Sequence, residues 1–345
     1  KASAAVGYTS KWFGEHYSFP KSFNGSGQKI AIIACGGGYR QKELDAYYKL
    51  AGIDIASPVK PYTVDGMKNS PGTWGYDYEL YTDILVTQAA APGAQIEVYF
   101  TENSLKGFSD AVEKITKAKE VPNIITYSWS SSENSHDIKQ INAIERILEY
   151  ATTVHDISIV VCSGDKGSTN EEENSKTTGV MVTYPASSRW VLSCGGTMSG
   201  ESNQNRIKSE KVWQSTFLYD ISIANGSGGG FSNYISRPSY QTGKRSGGYP
   251  KTTSKKRGVP DVAAYADVAP GGLAYWIRFD GKDWLTGGTS SSAPLWAALI
   301  ARLNQGLKRN LGFVNPVLYR MNSAGITSLN VGSNAMPSGP KKWSA

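Results

Sequence analysis

The chain has 345 residues, 39% of them apolar and 11% aromatic, which is material for a large core and excludes a disordered, collagenous or low-complexity protein. Lys and Arg number 36 against 29 Asp and Glu, a net charge of +7. The basic residues are scattered, so no nucleic-acid partner is expected, and the densest cluster, Lys255-Lys256-Arg257, reads as a solvated loop.

In chain order, residues 28–34 (QKIAIIA) predict a buried strand closed by Gly36-Gly37-Gly38, and 41–51 a helix. Apolar residues at Leu80, Ile84, Leu85 and Ala89 mark one face of a helix that Pro92-Gly93 stops. Strand 96–100, helix 107–119, strand 123–129, a helix around 137–154 and strands 157–163 and 190–196 follow. Residues 198–285 carry short β patterns among Gly, Ser and aromatic residues, and a last helix spans 290–306. Alternating strands and helices predict an α/β fold with a mostly parallel central sheet covered by helices on both faces. No repeat or linker divides the chain, so 1–345 reads as one domain. No run of about 18 apolar residues exists, and no membrane partner is expected.

The three cysteines, Cys35, Cys162 and Cys194, cannot all pair; each adjoins an apolar run and reads as a small buried hydrophobe, with a Cys162–Cys194 disulfide left open. No spacing suggests zinc. Asn24-Gly25-Ser26 and Asn225-Gly226-Ser227 are sequons that permit glycosylation in a secretory pathway.

Open α/β sheets place ligands at the carboxyl ends of their strands. Gly36–Gly38, Ser128-Trp129 and Gly164-Asp165 fall at such ends. Ser290 stands where Gly287-Gly288-Thr289 opens the last helix, either as a nucleophile beside free backbone N–H groups or as a helix cap. A serine nucleophile needs a base. His16, His136 and His155 read as surface residues, none beside a catalytic glycine motif. Glu79 and Asp83 share one helix face and can share a proton, as a relay or simply as acids in a first helical turn. Asp165 can cap, pair with Lys166, or, if protonated, donate to an oxyanion.

Together these segments resemble the sedolisin family of serine-carboxyl peptidases, closest to the kumamolisin type. Gly288-Thr289-Ser290-Ser291-Ser292-Ala293-Pro294 matches the G-T-S-x-x-x-P that this family shares with subtilisins, and the subtilisin His and Asp motifs are absent. Glu79-x-x-x-Asp83 with Ala91-Pro92-Gly93-Ala94, Ser128-Trp129, Gly164-Asp165, Gly228-Gly229-Gly230-Phe231-Ser232 and Arg257-Gly258-Val259-Pro260-Asp261 complete the set, from about Tyr8 to Asn330. The resemblance implies a subtilisin-like fold with Ser290 as nucleophile, Glu79 as its base, Asp83 orienting Glu79 and Asp165 in the oxyanion hole. It also implies that Ser128, Trp129, Ser130 and Gly228, Gly229, Gly230 line the substrate cleft. A carboxylate base places activity in acid. An amino-terminal propeptide as partner before maturation is implied too, and the start at Lys1, without Met or signal segment, reads as its removal. So are protein or peptide substrates and a secreted or acidic, lysosome-like location; a monomer is expected.

Three positions depart from the family pattern. Ala34 stands where the family often has a Glu in contact with the catalytic Glu, which leaves Glu79 less tightly coupled, and Ser130 replaces the Gly of Ser-Trp-Gly. The family's calcium acids are replaced at Gly325 and Ser344, with Lys341-Lys342 close by, so no calcium and no other cofactor is expected. The competing readings are a tripeptidyl exopeptidase of the same family and a catalytically silent peptide-binding protein.

Overall fold

The computed structural model describes residues 6–169, 180–203, 206–217, 220–242, 254–268, 272–321, 326–329 and 331–335. Strand β1 (Val6–Tyr8) and helix α1 (Ser10–His16) lead into β2 (Lys29–Ala34), α2 (Gln41–Ala51), β3 (Lys60–Thr63) and α3 (Trp74–Ala90). Then come β4 (Gln95–Phe100), α4 (Leu105–Thr116), β5 (Ile124–Tyr127), β6 (Ser131–Ser132), α5 (Ile138–Thr153), β7 (Ser158–Cys162) and β8 (Thr183–Tyr184). The later part is strand-rich: β9 (Leu192–Asn203), β10 (Arg206–Val212), β11 (Gln214–Phe217), β12 (Asp220–Gly226), β13 (Gly230–Ser236), β14 (Lys256–Val259) and β15 (Val262–Tyr265). The hairpin β16 (Leu273–Phe279) and β17 (Lys282–Thr286) precedes α6 (Thr289–Leu307) and the short α7 (Asn315–Leu318).

The central sheet runs β10-β9-β7-β5-β2-β4-β3, with β15 also paired to β9. Every pairing in it is parallel except β10 with β9. Both faces are covered, which is why β2 reads as an unbroken apolar run. Ile30, Ile32 and Ala34 face the layer of α3 and α6, whereas Ala31, Ile33 and Cys35 face α4 and α5. In α4, Leu105, Phe108, Ala111, Val112 and Ile115 recur at helical spacing and are all buried. Among the described residues no helix is long and apolar enough to cross a membrane.

The structure differs from the sequence reading at four points. Helix α3 starts at Trp74, so Glu79 lies beyond the first turn, whose acid is Asp77; the macrodipole reading of Glu79 falls away. The strand expected over 123–129 ends at Tyr127, and residues 128–130 leave the sheet. Strand β3, with Pro61 and mostly exposed side chains, is an edge strand that the apolar pattern does not show. Arg257 is fully buried rather than solvated, held by both oxygens of Asp261 at 2.7 and 2.5 Å. The three cysteines are buried as expected, and the pairing left open does not form: all are free thiols, although Cys162 and Cys194 are register neighbours on β7 and β9.

Candidate active site

The site forms where α6 and α3 meet the carboxyl ends of β2, β5 and β7. Gly288 occupies the cap position of α6 at φ 77°, a conformation that disfavours any side chain. Ser290 is therefore the second helical residue and not the cap; its own N–H belongs to the turn that has no intrahelical acceptor. Pro294 has no N–H to return to the Ser290 carbonyl four residues back. The Ser128 hydroxyl lies 3.4 Å from that carbonyl. The Ser290 hydroxyl in turn donates to the Ser128 carbonyl at 3.4 Å.

Asp165 sits at the amino end of α6. Its Oδ1 accepts from the Thr289 N–H (2.8 Å) and from the Thr289 hydroxyl (2.6 Å), and that hydroxyl accepts from the Gly164 N–H (3.2 Å). Its Oδ2 lies against Gly288. Burial pushes the carboxyl above its ordinary range, and the two Thr289 bonds act against this. Lys166 reaches toward Asn225 instead, at 3.4 Å.

Glu79 and Asp83 come one helical turn apart on α3, on the side toward α6. Burial lifts Glu79 from 4.5 to about 8, with the Ser290 hydroxyl pulling it down and Asp165 pushing it further up. Its Oε1 is buried with no hydrogen-bond partner. Asp83 is raised well above the usual range, first by burial and then by Glu79, while the Ser128 hydroxyl, 2.6 Å from Oδ1, opposes the rise. Three neighbouring carboxyls that cannot all ionise hold protons between them.

The three histidines take no part in this cluster. His16 Nε2 meets Glu210 Oε1 at 3.2 Å, His136 Nε2 meets the Ser131 hydroxyl at 2.7 Å, and the His155 ring packs edge-on against Tyr150. All are half-buried rather than surface residues.

Trp129 stacks on Tyr76 at 5.2 Å, and Ser130 Oγ lies 3.7 Å from Cys162 Sγ. Among the described residues no backbone–backbone hydrogen bond uses 128–130, which leaves their N–H and C=O groups without a main-chain partner. Gly228 does not offer such groups. Its N–H goes to the Gly164 carbonyl (2.7 Å), its carbonyl accepts from the Ser163 hydroxyl (2.8 Å), and a Cβ there would lie 1.9 Å from the Ser163 oxygen. The Gly229 carbonyl accepts from Asn334 at 3.2 Å, and Gly230 opens β13 at φ 148°. The run packs as a wall.

Two supporting acids escape a reading of the sequence. Asp77 accepts from the Gly38 and Gly72 N–H groups, both at 2.7 Å, which seats the glycine loop after β2 on α3. Glu133 is 1% exposed and accepts from the Ser187 hydroxyl (2.7 Å), the Ser232 hydroxyl (2.6 Å) and the Asn233 N–H (2.7 Å). Their signal, an acid amid small polar residues, is common to any loop. Gly325 and Ser344 lie outside the described residues; among those described, no group of three or more His, Cys, Asp or Glu is placed to hold a metal.

A parallel sheet with a serine opening the helix beyond its last glycine turn is the architecture of subtilisin-like serine peptidases, and the Subtilase family is matched over residues 66–317. The sequence is 36% identical over 340 residues to kumamolisin of Bacillus sp. (strain MN-32), covering 97% of this chain and 59% of that protein. It is 25% identical over 350 residues to tripeptidyl-peptidase 1 of Homo sapiens, covering 95% and 58%. The chain thus spans less than two thirds of the length of these relatives. In fold it is similar to a Pseudomonas sedolisin, a serine-carboxyl proteinase complexed with two molecules of pseudo-iodotyrostatin, at TM-score 0.77 and 24% identity over 91% of this chain and 85% of that one. The chain belongs to the sedolisin family of serine peptidases, as a kumamolisin-like member.

Proposed function

We propose that this chain is an acid-acting serine-carboxyl endopeptidase. The observation that carries the reading is the convergence of three carboxyls, the buried Asp83 and the half-buried Glu79 and Asp165, on the Ser290 turn, with every histidine engaged elsewhere. Ser290 Oγ attacks the scissile carbonyl carbon and its proton passes to Glu79. Asp165 bonds Thr289 through Oδ1, so the proton of the neutral acid rests on Oδ2, which donates to the developing oxyanion beside the Ser290 N–H. Glu79 then gives its proton to the leaving amine, and the acyl group stays on Ser290. Water attacks the acyl-enzyme with Glu79 again as base. Residues 128–130 pair with the peptide backbone, Gly228–Gly230 backing the cleft.

A base must be ionised to act, and burial holds Glu79 up near 8. The unpaired Oε1 is where substrate can act: a donor delivered there favours the ionised form and brings the carboxyl down toward the acid range. Asp165 must keep its proton, which limits activity on the alkaline side. A propeptide-bearing precursor and action outside the cell or in an acidic compartment go with this reading. With the family's calcium acids replaced at Gly325 and Ser344, we expect a chelator to leave cleavage unchanged.

The test is cleavage of an unfolded protein from pH 2 to 8 by wild type, Ser290→Ala and Glu79→Gln. Acid cleavage lost in both variants supports the mechanism; cleavage near pH 8 that survives Glu79→Gln overturns it and turns attention to the Ser131–His136 pair. Kinship with tripeptidyl-peptidases favours a second reading. Product lengths decide it, since an exopeptidase releases only tripeptides from the amino end.

A further inference from the structure

The hydroxyl of Ser128 has a task that peptide pairing does not require. We propose that Ser128 is a positioning residue that fixes which oxygen of Asp83 carries the proton shared with Glu79, and that it ties this acid pair to the nucleophile; the proposal rests on the peptidase reading above. Three contacts carry it. The Ser128 hydroxyl is 2.6 Å from Asp83 Oδ1, the same hydroxyl lies 3.4 Å from the Ser290 carbonyl, and the Ser128 carbonyl receives the Ser290 hydroxyl at 3.4 Å. The carbonyl at the second contact is the one that Pro294 leaves without its helical donor. One residue at the end of β5 thus touches the acid on α3 and both the carbonyl and the hydroxyl of the serine on α6.

The chemistry follows from counting protons. A hydroxyl has one hydrogen, and at 2.6 Å it belongs to Asp83 Oδ1. An Oδ1 that already accepts is the carbonyl-like oxygen of a neutral carboxyl, so its proton rests on Oδ2 and is available to Glu79. The other titratable groups facing Asp83 are Glu79 on its own helix, Cys35 beyond β2 and Cys162 at the end of β7. Burial drives both thiols to their neutral form, and among the described residues no cation faces the pair. Without Ser128 the Asp83 carboxyl is free to turn, ionised Glu79 loses its donor, and the pair holds its proton to higher pH.

The experiment compares Ser128→Ala and Ser128→Thr with wild type. In Ser128→Ala we expect kcat to fall about tenfold or more with KM within about twofold, because the backbone that pairs with peptide is untouched. The acid limb of kcat/KM should move up by about one pH unit, and Ser128→Thr, which keeps the hydroxyl, should restore both. A fall in kcat with an unmoved acid limb, or no recovery in Ser128→Thr, overturns the proposal. A second readout needs no turnover: the pH at which thermal stability stops falling marks the folded-state ionisation of the pair, and it should move up in Ser128→Ala. If that pH is unmoved the proposal fails, whether or not the variant cleaves. If instead Glu79→Gln cleaves as wild type does, the peptidase mechanism fails, and the melting curves still judge the Ser128 link.

Discussion

Gly288 and Asp165 are packed so closely that a Cβ on the glycine would lie 2.5 Å from Asp165 Oδ2. Gly288 also sits at φ 77°, so a side chain is opposed by backbone strain and by contact together. Gly288→Ala should displace the Asp165 carboxyl from the position it holds beside Ser290. The expected result is a loss of at least about 100-fold in kcat, the order seen when an oxyanion donor is removed, with about 1–3 kcal/mol of stability lost to strain. Steady-state kinetics and urea unfolding check both; near-normal kcat would mean that Asp165 is not part of the oxyanion site.

Asp165 donates only while it holds a proton, and burial favours that form. In Asp165→Asn the amide oxygen can accept from Thr289 as Oδ1 does, while the amide nitrogen donates at every pH. The alkaline limb of kcat should therefore move up or vanish, with kcat at the acid optimum reduced by no more than about 100-fold. Asp165→Ala, lacking any donor, should lose about 100- to 1,000-fold across the whole range. An Asn variant whose alkaline limb coincides with that of wild type would assign that limb to another group.

Glu79, Asp83 and Asp165 are all shifted upward, which makes stability depend on pH with a definite sign. The folded protein holds these protons more tightly than the unfolded chain. Their contribution is present in full below the unfolded carboxyl range and is lost as pH rises; for Glu79 the loss runs from 4.5 to about 8. That shift alone corresponds to a few kcal/mol. Melting temperature should fall steadily between pH 4 and pH 8, and the fall should be shallower in Glu79→Gln. A curve that is flat, or rises with pH, contradicts neutral acids in the folded protein.

How far the sequence carries depends on whether the information is local. The run Ile30–Ala34 is apolar on both faces of the strand and announces a covered parallel sheet without help. Glu79 and Asp83 declare a shared face through their spacing alone. The start of α3 does not show, because Trp74–Glu79 has glycine and aromatic residues but no apolar period, and its place is set by Asp77 holding the Gly38 and Gly72 N–H groups. The bond from Ser128 to Asp83 joins residues 45 apart and exists only because β5 ends beneath α3. Arg257 misleads for the opposite reason: its sequence neighbours are lysines, while its partner stands four residues on in an apolar setting.

Glu133 joins the two segments that the proposed function sets along the substrate cleft. It follows the 128–130 segment in the chain and binds Ser232 and Asn233, which follow Gly228–Gly230. In Glu133→Ala two buried hydroxyls, of Ser187 and Ser232, lose their acceptor at about 1–3 kcal/mol each before relaxation, and the more exposed Asn233 N–H is released to water. We expect a loss of several kcal/mol in stability and a KM for long peptides raised more than kcat is lowered, because these segments rather than the reacting groups are released. Equal KM with lower kcat would place its effect at the chemistry instead.

Arg257 and Asp261 make the strongest test of how the region beyond the cleft is held. The pair has no exposed surface, and Asp261 also accepts from the Ser193 N–H (2.9 Å), Asn315 Nδ2 (3.2 Å) and the Tyr319 hydroxyl (2.7 Å). Arg257 donates in addition to the Ser188 and Gly258 carbonyls and lies over the Tyr240 ring. Removing one member leaves the other charge buried, so Arg257→Met or Asp261→Leu should each cost about 3–5 kcal/mol. An isolated buried pair can often be exchanged for apolar residues at little cost. Here the double variant should remain destabilised by at least about 1 kcal/mol, because the buried Ser193 N–H loses the acceptor that Asp261 gives it. Urea unfolding of the two single variants and the double variant closes the cycle. A double variant as stable as wild type would show that the ion pair, and not the network around it, is what this part of the fold depends on.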